Sequence, residues 1–150
     1  KPNIHPAAEY DRRRDTLRAF AAQLGLARVI FKDADYAPQE WMRRVAFRED
    51  NRCFHCYQMR LERAAFIARS GNYDFFSSTL LYSKRQKHET IAAIGHDLGG
   101  EGQKARFLYR DFRHGWSEGI EESKRLGMYR QDHCGCLLSE TERRLGQVKG

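Results

Sequence analysis

Two pairs of cysteines carry the chemistry open to this chain. Cys53 and Cys56 stand three residues apart in Cys-Phe-His-Cys, and Cys134 and Cys136 stand two apart in Cys-Gly-Cys. The first spacing is that of a metal knuckle. The second closes, on oxidation, a very small ring whose disulfide is strained and readily reduced, which suits a pair that passes two electrons. Gly135 fits such a ring because a residue without Cβ takes the dihedrals it demands. Spacing alone leaves three uses open. A structural zinc can take four thiolates with help from His55 or His133, although the long gap between the pairs is unusual for a zinc finger. Alternatively, Cys53 and Cys56 bind part of an iron-sulfur cluster while Cys134 and Cys136 cycle as a dithiol. The third use is as inert buried thiols, which two clustered pairs beside polar loops argue against.

The elements that position these sulfurs can be read from the pattern around them. Cys53 and Cys56 precede an amphipathic run with Leu61, Ala64, Ala65 and Ala68 on one face and Arg60 and Arg63 turned away, which places both thiols at a helix entrance. Unpaired amides and the positive end of the helix dipole favour anionic sulfur at such a place. Tyr73 to Thr79 reads as a buried strand ending in the polar group Ser77, Ser78 and Thr79. Further strands are expected at 27–31 and 106–112, the first followed by Asp33 and Asp35 in turn chemistry. Helices are expected from Tyr10 to a stop at Gly25, from Pro38 through Trp41, Met42 and Val45, from a Ser83/Gln86 capping box, from Ser117 to Leu126, and from a Ser139/Glu142 capping box. In the first helix, Leu17, Phe20, Ala21 and Leu24 form the apolar stripe, and Asp11 to Asp15 with its three arginines forms the wet face. Alternating strands and helices predict an α/β fold: a three-layer, open, mostly parallel sheet with helices on both faces, Rossmann-like in architecture.

One domain accommodates 150 residues. The 27 Lys+Arg against 20 Asp+Glu give a net charge of +7, which favours an anionic partner such as nucleic acid. No apolar run approaches the ~18–20 residues that cross a bilayer, and the first residues lack the layout of a signal peptide, so a cytoplasmic protein with no membrane partner is expected.

Five ordered motifs carry a resemblance. They are Pro-Asn-Ile-His-Pro followed by Glu9-Tyr10; Cys-Phe-His-Cys-Tyr-Gln-Met-Arg-Leu; Ser-Ser-Thr-Leu-Leu-Tyr-Ser with Gln86 and His88; Tyr-Arg-Asp-Phe-Arg; and Leu-Gly-Met-Tyr-Arg-Gln-Asp-His-Cys-Gly-Cys with Ser139-Glu140. With them the chain resembles the epoxyqueuosine reductases of the QueH type, oxidoreductases of a nucleotide alpha-hydrolase-like fold. The resemblance implies reduction of epoxyqueuosine to queuosine at the tRNA wobble position. It implies a [4Fe-4S] cluster with Cys53 and Cys56 as two ligands, a redox-active disulfide between Cys134 and Cys136, an additional iron, and an external electron donor. Members of the family begin with a strand leading to two adjacent cysteines, the other cluster ligands. This sequence starts after that segment, so its first strand and helix are expected to lie upstream.

Taking oxygen from an epoxide uses two electrons and two protons, and a side chain must supply or relay the protons. Asp111, His88 and Tyr129, each at an element end, are the candidates, with Asp111 preferred. Arg60, Thr79, His88, Arg113, Tyr129 and Arg130 are expected to hold the substrate, and Lys84, Arg85 and Lys87 the RNA phosphates. The competing reading is a zinc-stabilised RNA-binding module without catalysis.

Overall fold

A parallel pair of strands cannot be joined by a tight turn. It needs a crossover, and the crossover helix must run back against the strand direction. In the computed structural model, which describes residues 3–26, 29–31 and 36–146, this is how the centre of the chain is built. Strand β1 (Phe75–Phe76) pairs in parallel with β2 (Arg106–Phe107), with Phe75 opposite Arg106 and Phe76 opposite Phe107. Between them runs α4 (His88–Leu98). The long helix α3 (Arg52–Ser70) precedes β1.

Helices α3 and α4 are pinned at both ends. Near the start of each, the Tyr57 hydroxyl donates to Gln86 Oε1 (2.9 Å) and accepts the Lys87 N–H (3.2 Å). Near the end of each, the Arg69 guanidinium donates to the Leu98 carbonyl (3.4 Å). The two helices are therefore parallel to each other, and both of their N-termini lie at the edge where the strands end. Their shared core comprises Tyr57, Leu61, Ala65 and Ala68 of α3, Ile91 and Ile94 of α4, and Phe76, Leu80, Leu81, Ala105 and Phe107. Leu61, Leu81 and Ile91 are wholly buried, each contributing about 1.5–3 kcal/mol of apolar transfer. Two glycines bring α4 close to the sheet. A Cβ at Gly95 would collide with the Phe107 ring, and one at Gly99 would meet the Phe107 amide nitrogen at 2.5 Å.

Two units are distinguished, residues 1–43 with 123–150, and residues 44–122. The second holds α3, β1, α4 and β2. The first holds α1 (Ala7–Gln23) and α6 (Leu137–Arg144). Two further helices, α2 (Pro38–Val45) and α5 (Trp116–Arg125), complete the chain. Among the described residues no helix is long and apolar enough to cross a membrane.

The architecture is thus mixed α/β and rich in helix, with a small parallel sheet. Several expectations differ in detail. Of the first expected strand, Ala27 and Arg28 lie outside the described residues, as do Asp33 and Asp35, and residues 29–31 form no strand. The other two strands shrink to two residues each, because the chain after Phe76 turns into a 3₁₀ helix (Thr79–Tyr82) capped by Ser78, whose Oγ accepts the Leu80 N–H at 3.2 Å. Ser83 does not cap α4. Its hydroxyl oxygen accepts the Arg85 N–H (3.2 Å) in a separate turn, and the helix starts five residues later. In α1, Leu17 and Leu24 are about half exposed, whereas Glu9 is buried and the Arg13 side chain nearly so. The arginine-rich segment is therefore not wholly a wet face.

Candidate functional site

The strand ends of the second unit open into two clefts. The first, about 660 Å³, is bounded by Ser77, Ser78 and Thr79 after β1, by Tyr82, by Leu108 and Phe112 after β2, and by His114 and Gly115. Its surface is chiefly apolar, and its size falls within the range of small-molecule sites. Tyr82 forms one wall, its hydroxyl donating to the Trp116 carbonyl (3.2 Å) while its ring packs 5.2 Å from that of Trp116. The second cleft, about 610 Å³, brings together Lys87, His88, Tyr109 and Arg113 at the start of α4.

The positions of the expected residues follow from this edge. Thr79 is exposed in the first cleft, and His88 and Arg113 meet in the second. His88 is buried, with Nε2 3.1 Å from the Ser83 carbonyl and Nδ1 without a hydrogen-bond partner among the described residues. Asp111 holds Arg113 through both carboxylate oxygens, at 2.9 Å to Nε and 2.6 Å to Nη2. The Arg113 guanidinium and backbone N–H beside it keep the Asp111 carboxyl far below the usual carboxylate range. A carboxyl held in that state carries no proton to give, so its service as an acid would require Arg113 to let go. Arg60 lies half-buried along α3.

Cys53 and Cys56 occupy the second and fifth residues of α3 and pack partly buried against the core that α3 shares with α4. None of the four cysteines is in a disulfide. The donor type and the helix N-terminus suit an anionic iron-sulfur centre. The donor count is partial, since a cubane cluster takes four thiolates. Among the described residues no group of three or more His, Cys, Asp or Glu is placed to hold a metal ion. Neither a complete zinc site nor a complete cluster site is assembled there.

Cys134 and Cys136 belong to the first unit. Their sulfurs lie 3.7 Å apart in an S–H···S contact. Cys136, only 4% exposed, is the N-cap of α6: its sulfur accepts the Ser139 N–H at 3.3 Å. The helix therefore begins two residues before the expected Ser139 cap. The Ser139 hydroxyl donates to the Cys136 carbonyl (3.0 Å) and lies 3.0 Å from the Cys134 sulfur. The contact with Cys134, together with burial, pushes the Cys136 thiol far above its ordinary pKa.

Three charged and polar residues hold this loop: Tyr129, expected as a site residue, Glu9, expected only as part of a motif, and Arg13, expected only on a wet face. Arg13 donates from Nη1 to the Cys134 carbonyl and from Nη2 to the His133 carbonyl, both at 3.1 Å. Its Nε is held by Glu9 Oε1 (2.6 Å), and Glu9 Oε2 accepts the Tyr129 hydroxyl (2.7 Å). Burial opposes the charge on Glu9, but the bonds from Tyr129 and Arg13 outweigh it and keep the carboxyl below its usual range. Burial and the bond to Glu9 raise the Tyr129 phenol above its own. Of the expected substrate residues, Tyr129 is thus engaged with Glu9, and its ring also carries the Arg12 guanidinium at 4.9 Å, whereas Arg130 is exposed. The one clue in sequence is the Glu9/Arg13 spacing of four on a helix; their partners are about 120 residues away. The Tyr82, Phe112 and His114 walls of the first cleft likewise left no periodic signal.

Comparison with known proteins places the chain among named relatives. A family model described as epoxyqueuosine reductase QueH matches residues 1–142. The chain is 36% identical over 142 residues to the epoxyqueuosine reductase QueH of Dehalococcoides mccartyi, covering 95% of this chain and 76% of that protein. To the Thermotoga maritima protein of the same name it is 36% identical over 153 residues, covering 95% and 78%. To that of Histophilus somni it is 35% identical over 149 residues, covering 92% and 58%.

Proposed function

Because the chain belongs to the epoxyqueuosine reductase QueH family, we propose that it removes the epoxide oxygen of epoxyqueuosine in tRNA and yields queuosine. The observation that carries this reading is the family match across residues 1–142, which contains both cysteine pairs. The strand-helix-strand core, with ligand space at the strand ends, supports a Rossmann-like ancestry for the site.

The overall reaction balances with a dithiol as reductant. Cys134 and Cys136 give up two protons and two electrons as their S–S bond forms. The two C–O bonds of the epoxide break, a C=C bond is left, and the oxygen departs as water. An external electron donor then returns the pair to two thiols. Cys53 and Cys56 would hold two corners of a [4Fe-4S] cluster, leaving two to other donors, and such a cluster supplies one-electron transfer and Lewis acidity, as would an adjacent additional iron.

The residues at the strand-end edge suit the rest of the task. A wobble base must leave its stack to be modified, and the first cleft offers it aromatic walls in Tyr82 and Phe112 with Ser77, Ser78 and Thr79 as hydrogen-bonding groups. Lys84, Arg85 and Lys87 are exposed on the turn that leads into α4 at the same edge, where they can take phosphates. Arg60 and Arg113 in the second unit and exposed Arg130 in the first supply further cationic contacts. His88, buried at the mouth of the second cleft, is the better proton relay, and Asp111 acts as the carboxylate that aims Arg113.

Anaerobic reconstitution with iron and sulfide tests the cluster half of this proposal. The parent protein should become brown, bleach on reduction and lose that absorbance in Cys53→Ser and Cys56→Ser. A colourless parent carrying zinc would contradict it and favour a zinc-stabilised RNA-binding module.

A further inference from the structure

We propose that Arg13 is the positioning residue of the Cys134/Cys136 pair, a clamp that favours its dithiol over its disulfide. The proposal rests on the reading of that pair as the reductant. It goes beyond it by assigning control of the redox balance to Glu9, Arg13 and Tyr129.

The geometry is specific to the loop. One guanidinium bonds two successive carbonyls, those of His133 and Cys134, which flank the first sulfur. Planar, charge-assisted bonds of this kind fix orientation as well as distance. The guanidinium cannot drift, because Glu9 holds its third donor at 2.6 Å and Tyr129 holds Glu9 at 2.7 Å. The other side of the loop is fixed by the His5 N–H, which donates to the Gly135 carbonyl at 2.7 Å. Gly135 has φ +114°, and a Cβ there would approach Arg13 Nη1 at 2.9 Å and Ile4 Cγ1 at 3.2 Å, so the loop and the clamp are packed directly on each other.

The sulfurs held by this frame are 3.7 Å apart, whereas a disulfide requires about 2.05 Å. The clamp requires that closing this small ring moves the backbone that carries Cys134, and with it the carbonyls that Arg13 holds. Bonds made well in the dithiol and less well in the disulfide shift the equilibrium toward the dithiol. They make the oxidised pair easier for an external donor to reduce. When two thiols are oxidised by the disulfide form of dithiothreitol, two protons and two electrons pass to that reagent, so the balance is measurable without substrate or metal.

The test is a redox titration of the full chain in dithiothreitol buffers, with the thiols trapped by alkylation and counted by mass spectrometry. Arg13→Lys keeps the charge and loses the fork. Its disulfide should be favoured by about tenfold relative to the parent, a potential lower by about 30 mV for a two-electron couple. Tyr129→Phe, which keeps the fork and removes the hydroxyl that bonds Glu9 and the Arg12 side chain, should shift it in the same direction by roughly threefold. Circular dichroism establishes that each variant is folded, and Tyr129→Phe, the smaller change, decides the matter if Arg13→Lys is not. A parent-like potential in the folded variants, or a shift toward the dithiol, overturns the clamp. Full conversion of epoxyqueuosine by Cys134→Ser would instead overturn the catalytic reading beneath it, a result that the titration does not depend on.

Discussion

Gly95→Ala in α4 should destabilise the protein, although glycine-to-alanine changes inside helices usually help. Alanine gains about 1 kcal/mol in helix propensity over glycine. Against that, the new methyl would lie 2.6 Å from Phe107 Cγ, and closer to other atoms of the ring. The ring is 7% exposed, tilted against Phe76 at 5.4 Å and met edge-on by His96 at 5.5 Å. It has no open direction in which to swing, so the overpacking cost should sit near the top of the usual range, about 2–3 kcal/mol. The net loss is then about 1–2 kcal/mol, or roughly 2–8 °C in Tm for a chain of this size. Thermal and urea unfolding of the two proteins measure it. Gly115→Ala, whose Cβ would meet nothing within 4 Å, is the control and should change little. The effect should reach the site as well, because Phe107 ends β2 and the next residues form the Leu108 and Phe112 walls of the first cleft. A Gly95→Ala protein as stable as its parent, or more stable, would refute the close packing of α4 on the sheet.

Three further outcomes follow from the site. Iodoacetamide at neutral pH should modify Cys134 before Cys136, since the second thiol is buried and its ionisation is suppressed; peptide mapping that finds Cys136 modified first would contradict this. The Glu9 carboxyl has a folded-state pKa below its unfolded value, so its contribution is present above about pH 4.3 and lost as pH falls through the folded value. Glu9→Gln should therefore lower stability at pH 7 by about 1–3 kcal/mol, with the difference from the parent shrinking in acid; a pH-independent difference would remove the charge from the argument. Asp111→Asn should raise KM for the tRNA substrate several-fold by freeing Arg113, and leave the pH dependence of kcat unchanged. A kcat loss with an altered acid limb would instead make Asp111 the proton donor.

What sequence made legible was local. The α3 face of Leu61, Ala65 and Ala68 and the cysteines at its entrance follow from a period of 3.6, and Gly25 ends the first helix in a left-handed turn with φ +63°. The strand lengths were overestimated because Tyr73 to Thr79 and Arg106 to Phe112 are aromatic-rich throughout, and aromatic content alone does not distinguish a ladder residue from one lining a cleft. Cap positions moved for a similar reason. Cys136 does at α6 what Ser139 was expected to do, since sulfur can accept the amide bond that a hydroxyl ordinarily takes. The Arg13 clamp was hidden because an arginine among charged neighbours on a helix looks solvated until its distant carbonyl partners are known.

The central claim is tested most directly by the nucleoside itself. tRNA carrying epoxyqueuosine is incubated anaerobically with the iron- and sulfide-reconstituted protein and an electron donor, then digested and analysed by mass spectrometry. The account predicts loss of one oxygen atom from the modified nucleoside with the parent protein and no loss with Cys53→Ser or Cys134→Ser. An unchanged nucleoside with cluster-loaded parent protein, or conversion that persists in Cys53→Ser, would contradict it.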